Sequence, residues 1–162
     1  MMRLSWLISC GIAIFGVMLI QYFYQFESET GNLGIVGLAV VTPFVLLCIF
    51  ITIKYFMHVA SSKNDLLSAI IFFVFGLLFT GALIYYALDY RDTVFTQLGG
   101  STKDVNSSVY GLSWLNVETS KIYFNFYTIL FTIVTSALVG YLSGLFLKNM
   151  TVNEPVESEQ IK

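Results

Sequence analysis

The amino-acid sequence predicts an all-α integral membrane protein, a bundle of four transmembrane helices with a small cap on its outer side. Composition is the first observation behind this class. The 162 residues are 57% hydrophobic and 11% charged, with a mean hydropathy of +0.79, whereas about 25% of a soluble domain is charged. The second observation is that the apolar residues form four long runs, and about 20 such residues let one helix cross a bilayer.

The four runs cover residues 4–24, 33–56, 66–88 and 122–147. Backbone groups inside lipid must be hydrogen-bonded within their own segment, so each run is predicted to be an α-helix. The first run has no small-residue cleavage site before Glu27, so we expect a retained helix and not a signal peptide. Residues 1–150 are therefore expected to form one transmembrane domain. Residues 151–162 are polar and acidic and are expected to form a cytoplasmic tail.

The distribution of lysine and arginine predicts the orientation. Basic residues near helix ends favour the cytoplasmic side, and four of them lie on the side of the two termini: Arg3, Lys54, Lys63 and Lys148. The basic residues of the other side lie in a longer loop that also carries acidic residues. We therefore expect a multi-pass protein of the cell (inner or plasma) membrane with both termini in the cytoplasm.

The loop of residues 89–121 is the one long polar segment between the helices. Its stretches TVFTQL and VYGLSWLNV are rich in β-branched and aromatic residues and are separated by Gly99 and Gly100, which is typical of strands around a turn. The loop is predicted to form a small β-rich cap; an irregular loop anchored by Trp114 is the alternative. Tyr110 and Trp114 are candidate contact residues on its outer surface.

The last helix carries a row of small and hydroxyl residues, each four positions after the previous one: Thr128, Thr132, Ser136, Gly140 and Gly144. Residues at this spacing share one side of a helix, and small residues let helices approach closely in lipid. The row is predicted to be a helix-packing face. Its partner could be helix 1, with Ser5, Ser9 and Ala13, or helix 3, with Gly76 and Thr80. Another copy of the chain, or a pore lined by the hydroxyls, are the remaining alternatives.

Helix 2 shows no such row but contains Pro43 near its middle. A proline inside a helix removes one backbone hydrogen bond and is a common cause of kinks. Pro43 is therefore a candidate helix kink.

The sequence offers no set of residues suited to catalysis, to cofactor binding or to metal binding. His58 is the single histidine, and Cys10 and Cys48 lie within apolar runs, where thiols usually act as small hydrophobic side chains. No acidic, basic or histidine residue lies near the middle of a run, although coupled transporters keep such groups there. The net charge of −2 argues against nucleic acid as a partner.

These features lead us to expect a non-enzymatic membrane subunit of sensor, scaffold or immunity type. It would contact membrane lipids, assemble with copies of itself and couple to a cytoplasmic protein, for example in a bacterial stress or phage-defence system. A small oligomeric ion channel or pore is the alternative, because pores can be lined by hydroxyl groups and backbone.

Overall fold

The structure is a computed structural model that describes residues 2–25, 33–62, 66–111 and 117–152. Within these ranges the regular secondary structure is helical, without a strand. The helices are α1 (Met2–Gln25), α2 (Leu33–Ser62), α3 (Leu66–Gln97), α4 (Val117–Tyr123) and α5 (Phe126–Val152). Four of them, α1, α2, α3 and α5, are long and apolar enough to cross a membrane.

The long helices alternate in direction along the chain. The end of the bundle that holds Met2, Ser62 and Leu66 is called the terminal end below, and the opposite end, beside residues 98–111, the loop end. α1 packs antiparallel on α2, α2 and α5 lie side by side in parallel, and α3 packs antiparallel on α5. The short α4 contacts α1 and α3 near the loop end.

The buried interior follows the α1–α2–α5 contact and continues between α3 and α5. Ala13, Cys48 and Ile129 belong to one cluster of buried side chains. Nearer the terminal end, Ala60 and Tyr141 form another together with Ala69. Small residues on several helices therefore let the backbones approach, while Tyr141 fills the wider space between α3 and α5.

The strand prediction for TVFTQL is wrong, because α3 does not end at residue 88 but continues to Gln97. Elongating an existing helix adds one hydrogen bond per residue without a new nucleation cost, and this outweighs the strand preference of Val94 and Phe95. The Thr96 hydroxyl also donates to the Asp92 carbonyl oxygen, 2.8 Å away, within the helix. Residues 98–111 form successive turns, and residues 112–116 lie outside the described ranges.

Two other predicted boundaries shift. α2 does not end with the second apolar run at residue 56 but continues to Ser62. The predicted helix at residues 122–147 is interrupted near its start, because residues 122 and 123 belong to α4 and a short break at Phe124 and Asn125 separates α4 from α5. α5 itself extends to Val152.

Candidate functional site

The two glycines of the row lie at a close contact between α5 and α2. Gly140 faces Ile53 and Gly144 faces Met57, and both glycines are buried. A Cβ atom added to Gly140 would lie 2.8 Å from the Ile53 Cα, and one added to Gly144 would lie 3.0 Å from the Met57 Cα. Because these neighbours are backbone atoms, a rotamer change on α2 could not make room. The glycines therefore set the distance between the two helices.

Thr132 and Ser136 of the row form hydrogen bonds within their own helix, and the Thr128 hydroxyl donates to the carbonyl oxygens of Tyr123 and Asn125 just before it. The Thr132 hydroxyl donates to the Thr128 carbonyl oxygen at 2.9 Å, and the Ser136 hydroxyl donates to the Thr132 carbonyl oxygen at 2.6 Å. This is the usual way for serine and threonine to satisfy a hydroxyl inside a helix. The hydroxyls thus need no water and no partner helix, and the small size of these residues is what serves packing.

At the loop end of the row, α2 and α5 separate. Thr128 and Thr132 line a mostly apolar cavity of about 210 Å³ together with Val41, Thr42 and Val45. Pro43 lies within the continuous α2, and its side chain is exposed. In the parallel register that pairs Gly140 with Ile53, Pro43 is level with residue 130, beside this cavity.

The helix that faces the glycines is α2, which is neither of the two partners named from the sequence. Gly76 of α3 does meet α5, but at Leu138 and not in the row. α5 approaches α2 through the backbone of Ile53 and Met57, and a backbone contact leaves little trace in side-chain identity. The small residue Ala60 was the one sign in the sequence that α2 could be the partner helix, since its Cβ would lie 2.8 Å from a Cβ on Gly144.

Two cysteines and a hydrogen-bonded pair join α1 to α2. The Cys10 and Cys48 sulfur atoms lie 3.8 Å apart, and both residues are free cysteines. The Trp6 indole N–H donates to the Thr52 hydroxyl at 3.1 Å, and Thr52 is fully buried. The position of both cysteines in apolar runs is visible in the sequence, whereas the Trp6–Thr52 hydrogen bond leaves no sign there.

Asn125 caps the start of α5. Its side-chain oxygen accepts from the Thr128 backbone N–H at 3.0 Å, and the Thr128 hydroxyl accepts from the Asn125 backbone N–H at 3.2 Å. The Asn125 amide nitrogen donates to the Ile122 carbonyl oxygen at 2.7 Å. This reciprocal pair fixes the break between α4 and α5, and it explains why a polar amide is buried here.

The turns after α3 hold one of the two candidate outer contacts. Tyr110 is exposed, whereas Trp114 lies outside the described residues. The Asp104 carboxylate accepts hydrogen bonds from the Ser101 backbone N–H, at 2.6 Å, and from the Ser101 hydroxyl, at 2.8 Å. These bonds lower the pKa of Asp104 below its ordinary value of 3.8. Gly100 lies beside Asp104 with φ +134, a backbone region that favours glycine.

Two cavities at the terminal half of the bundle were not predicted from the sequence. One, called the lateral cleft here, opens between α1 and α3, has a volume of about 620 Å³ and is lined by apolar residues that include Trp6, Phe56, Ile71, Phe75 and Phe79. The other, called the Arg3 pocket, has a volume of about 360 Å³ and is lined by Met2, Arg3, Tyr55, His58, Val59 and Ser62. Both are assembled from residues distant in sequence, so periodicity could not reveal them.

Groups suited to metal binding are not clustered in the part of the chain that the structure describes. His58 is exposed near the end of α2 and lines the Arg3 pocket without a neighbouring carboxylate among the other lining residues. The described geometry therefore offers helix-packing faces and cavities that could hold a ligand.

No family model matches the sequence, and no curated protein or solved structure shows significant similarity to the chain.

Proposed function

We propose that this chain is a non-enzymatic, multi-pass subunit of the cell membrane that assembles with copies of itself and couples to a cytoplasmic protein. A sensor, scaffold or immunity role fits this description, as in bacterial stress or phage-defence systems. The observation that carries the proposal is the large apolar surface that four span-length helices leave uncovered.

The share of each helix buried within the chain supports membrane insertion. In the most apolar part of α3 only 11% of residues are buried, compared with 22% in α2, 28% in α1 and 39% in the segment Glu118–Asn149, which holds most of α5. Exposed apolar surface in water costs roughly 25 cal/mol per Å². Lipid tails remove this cost, because they are as apolar as the side chains.

The proposed orientation places the terminal end in the cytoplasm and residues 98–111 outside. Two positions test it in a chain whose Cys10 and Cys48 are replaced by alanine. A cysteine at the exposed Val105 should react with a membrane-impermeant thiol reagent in intact cells, and a cysteine at the exposed Ser61 should react only after permeabilisation. Labelling in the opposite pattern would reverse the orientation, and labelling of both sites in intact cells would contradict membrane insertion.

α3 is the helix best placed to contact another copy, because the glycine row of α5 is already covered by α2. One face of α3 carries Val74, Leu78, Gly81 and Tyr85 at helical spacing, and all four are exposed. Nothing lies within 4 Å of a Cβ added to Gly81, so a second helix could approach its backbone closely.

Replacing Gly81 by leucine should therefore reduce the mass of the assembly in mild detergent, measured by light scattering coupled to size exclusion. Gly11→Leu is the matched control, because Gly11 of α1 also has open space around it and should leave the assembly intact. Equal masses for wild type and Gly81→Leu would rule out this face as the interface.

The cytoplasmic coupling is testable by crosslinking in cells. A photoreactive residue at Ser61 should capture the product of a gene adjacent to this one, and the same residue at Val105 should not. Purified protein in a planar bilayer should give no ion conductance; a conductance that changes on substitution of Thr132 would instead favour the channel alternative.

A further inference from the structure

We propose that the lateral cleft and the Arg3 pocket together bind one anionic phospholipid, with an acyl chain in the cleft and the phosphate beside Arg3. This inference rests on the proposed membrane insertion. It adds a defined ligand class and a site to the proposed function.

The lateral cleft has the chemistry and the length of an acyl-chain site. α3 packs on α5 and not along α1, so the gap between α1 and α3 opens to the side. Its wall on α3 extends from Ile71 to Phe79, which corresponds to about 12 Å at 1.5 Å per residue. Half of a hydrocarbon core measures about 15 Å. The cleft therefore matches the depth of one leaflet.

The Arg3 pocket supplies groups that suit a phosphate. The Arg3 guanidinium can donate two parallel hydrogen bonds to phosphate oxygens, and the Ser62 hydroxyl and the His58 ring provide polar neighbours. None of the residues that line this pocket in the described structure is acidic. The charge of the pocket is therefore complementary to an anionic headgroup.

A stacked aromatic pair links the linings of the two cavities. Trp6 lines the lateral cleft and Tyr55 lines the Arg3 pocket, and their rings stack with centroids 5.1 Å apart and an interplanar angle of 13°. The hydrogen bond from Trp6 to the buried Thr52 holds this stack in place. Trp and Tyr rings favour the headgroup level of a membrane, so the pair lies where an acyl chain would meet its headgroup.

One amphipathic molecule explains both cavities. A second copy of the chain would fill the apolar cleft but leave Arg3 without an anion, and free phosphate would leave the cleft without an occupant. An anionic phospholipid satisfies both.

Quenching of Trp6 by brominated lipid tests the proposal. Trp114 is replaced by phenylalanine, which leaves Trp6 as the remaining tryptophan, and the full chain is reconstituted in vesicles that contain either brominated phosphatidylglycerol or brominated phosphatidylcholine. We expect half-maximal quenching at about fivefold less of the anionic lipid, the factor for one basic residue near an anionic headgroup. Arg3→Gln should abolish this preference.

Matched variants separate a defined site from general surface charge. Lys54→Gln removes a basic residue that lies over the Phe50 ring, outside the Arg3 pocket, and should keep the preference. Ile71→Phe should narrow the cleft and weaken quenching by both lipids, whereas Leu77→Phe should not, because Leu77 is an exposed residue of α3 outside the cleft lining.

Each other outcome overturns the proposal in a distinct way. Equal quenching by both lipids would mean that Trp6 meets bulk lipid without a headgroup site. If Arg3→Gln and Lys54→Gln lost the preference for the anionic lipid equally, the general positive charge of the surface would account for it, and not a defined site. Quenching by neither lipid, with the cysteine-labelling pattern expected for an inserted chain, would place another copy over the cleft. The same absence of quenching with both cysteines labelled in intact cells would refute membrane insertion itself.

Discussion

Gly140 lies against the backbone of Ile53, so close that a Cβ on this glycine would be 2.8 Å from the Ile53 Cα. Two helices in lipid gain little from the hydrophobic effect when they associate, because the lipid tails are already apolar. Their association therefore depends on close van der Waals packing. The contact between α2 and α5 is therefore expected to be sensitive to volume added at Gly140.

Replacing Gly140 by leucine should destabilise the fold by at least ~1–3 kcal/mol, the usual cost of overpacking. The leucine would press on backbone atoms of Ile53, which cannot move aside as a side chain can. Because the contact lies within one chain, the mass of the assembly should not change. Denaturant-induced unfolding in detergent, followed by circular dichroism, measures the first effect, and light scattering measures the second.

Leu142→Phe is the control, because Leu142 is 53% exposed on α5 and should tolerate added volume. Unchanged stability of Gly140→Leu would show that α2 and α5 are not in close contact. Loss of assembly without loss of stability would instead move the glycine row to an interface between copies.

The cysteine pair gives an independent check of how α1 packs on α2. With their sulfur atoms 3.8 Å apart, Cys10 and Cys48 should form an intramolecular disulfide when copper phenanthroline in the membrane accepts two electrons from the two thiols and both protons are released. Intact-mass analysis should show the loss of two hydrogen atoms. Disulfide-linked dimers as the main product would contradict the α1–α2 packing, and Cys10→Ser should remove the product.

Asn125 should contribute to stability as the cap of α5. Replacing it by alanine removes the acceptor for the Thr128 backbone N–H and the donor to the Ile122 carbonyl oxygen, and loss of such a cap usually costs about 0.5–2 kcal/mol. Asn125→Ser retains a side-chain oxygen and should lose less. Unfolding free energies of the two variants provide the comparison, and equal values for alanine and wild type would mean that the cap is dispensable.

The turn at Asp104 should depend on pH. Hydrogen bonds from Ser101 to the carboxylate lower the pKa of Asp104 below 3.8, so the folded turn favours the ionised form. Its contribution is fully present above pH 3.8 and is lost as the pH falls through the lower pKa of the folded state. The Ser101 amide resonance, followed by NMR in micelles, should shift in this acidic range. Asp104→Ala should abolish the shift, and a titration above pH 3.8 would contradict the hydrogen-bonded turn.

The sequence was sufficient to predict the four long helices, because run length and hydropathy report directly on them. It could not predict where α3 ends, since Asp89, Arg91 and Asp92 signal the end of an apolar run and not the end of a helix. Polar residues can continue a helix beyond its apolar segment, and α3 continues in this way to Gln97.

The candidate packing face was visible in the sequence, but its partner was not. Small residues at fourfold spacing mark α5, whereas α2 contributes backbone at Ile53 and Met57, which every residue type has. Leu138 illustrates the same limit. A leucine side chain would suit lipid as well as a protein interior, yet Leu138 is 8% exposed and packs on Gly76. When a helix carries apolar residues on all of its sides, its own sequence does not mark the side that packs on protein; the surfaces of the neighbouring helices decide this.

The parallel pairing of α2 with α5 has a consequence for biogenesis. During synthesis the N-terminal parts of a chain form first, so α1 and α2 can pair as a hairpin before α5 leaves the ribosome. The backbone of Ile53 and Met57 then stays uncovered until Gly140 and Gly144 have been synthesised. The packing of α3 is also incomplete until then, because α3 packs mainly on α5. α5 thus completes the packing of the three long helices that precede it, and a nascent chain that stops after α3 would remain a hairpin of α1 and α2 with a loosely packed third helix.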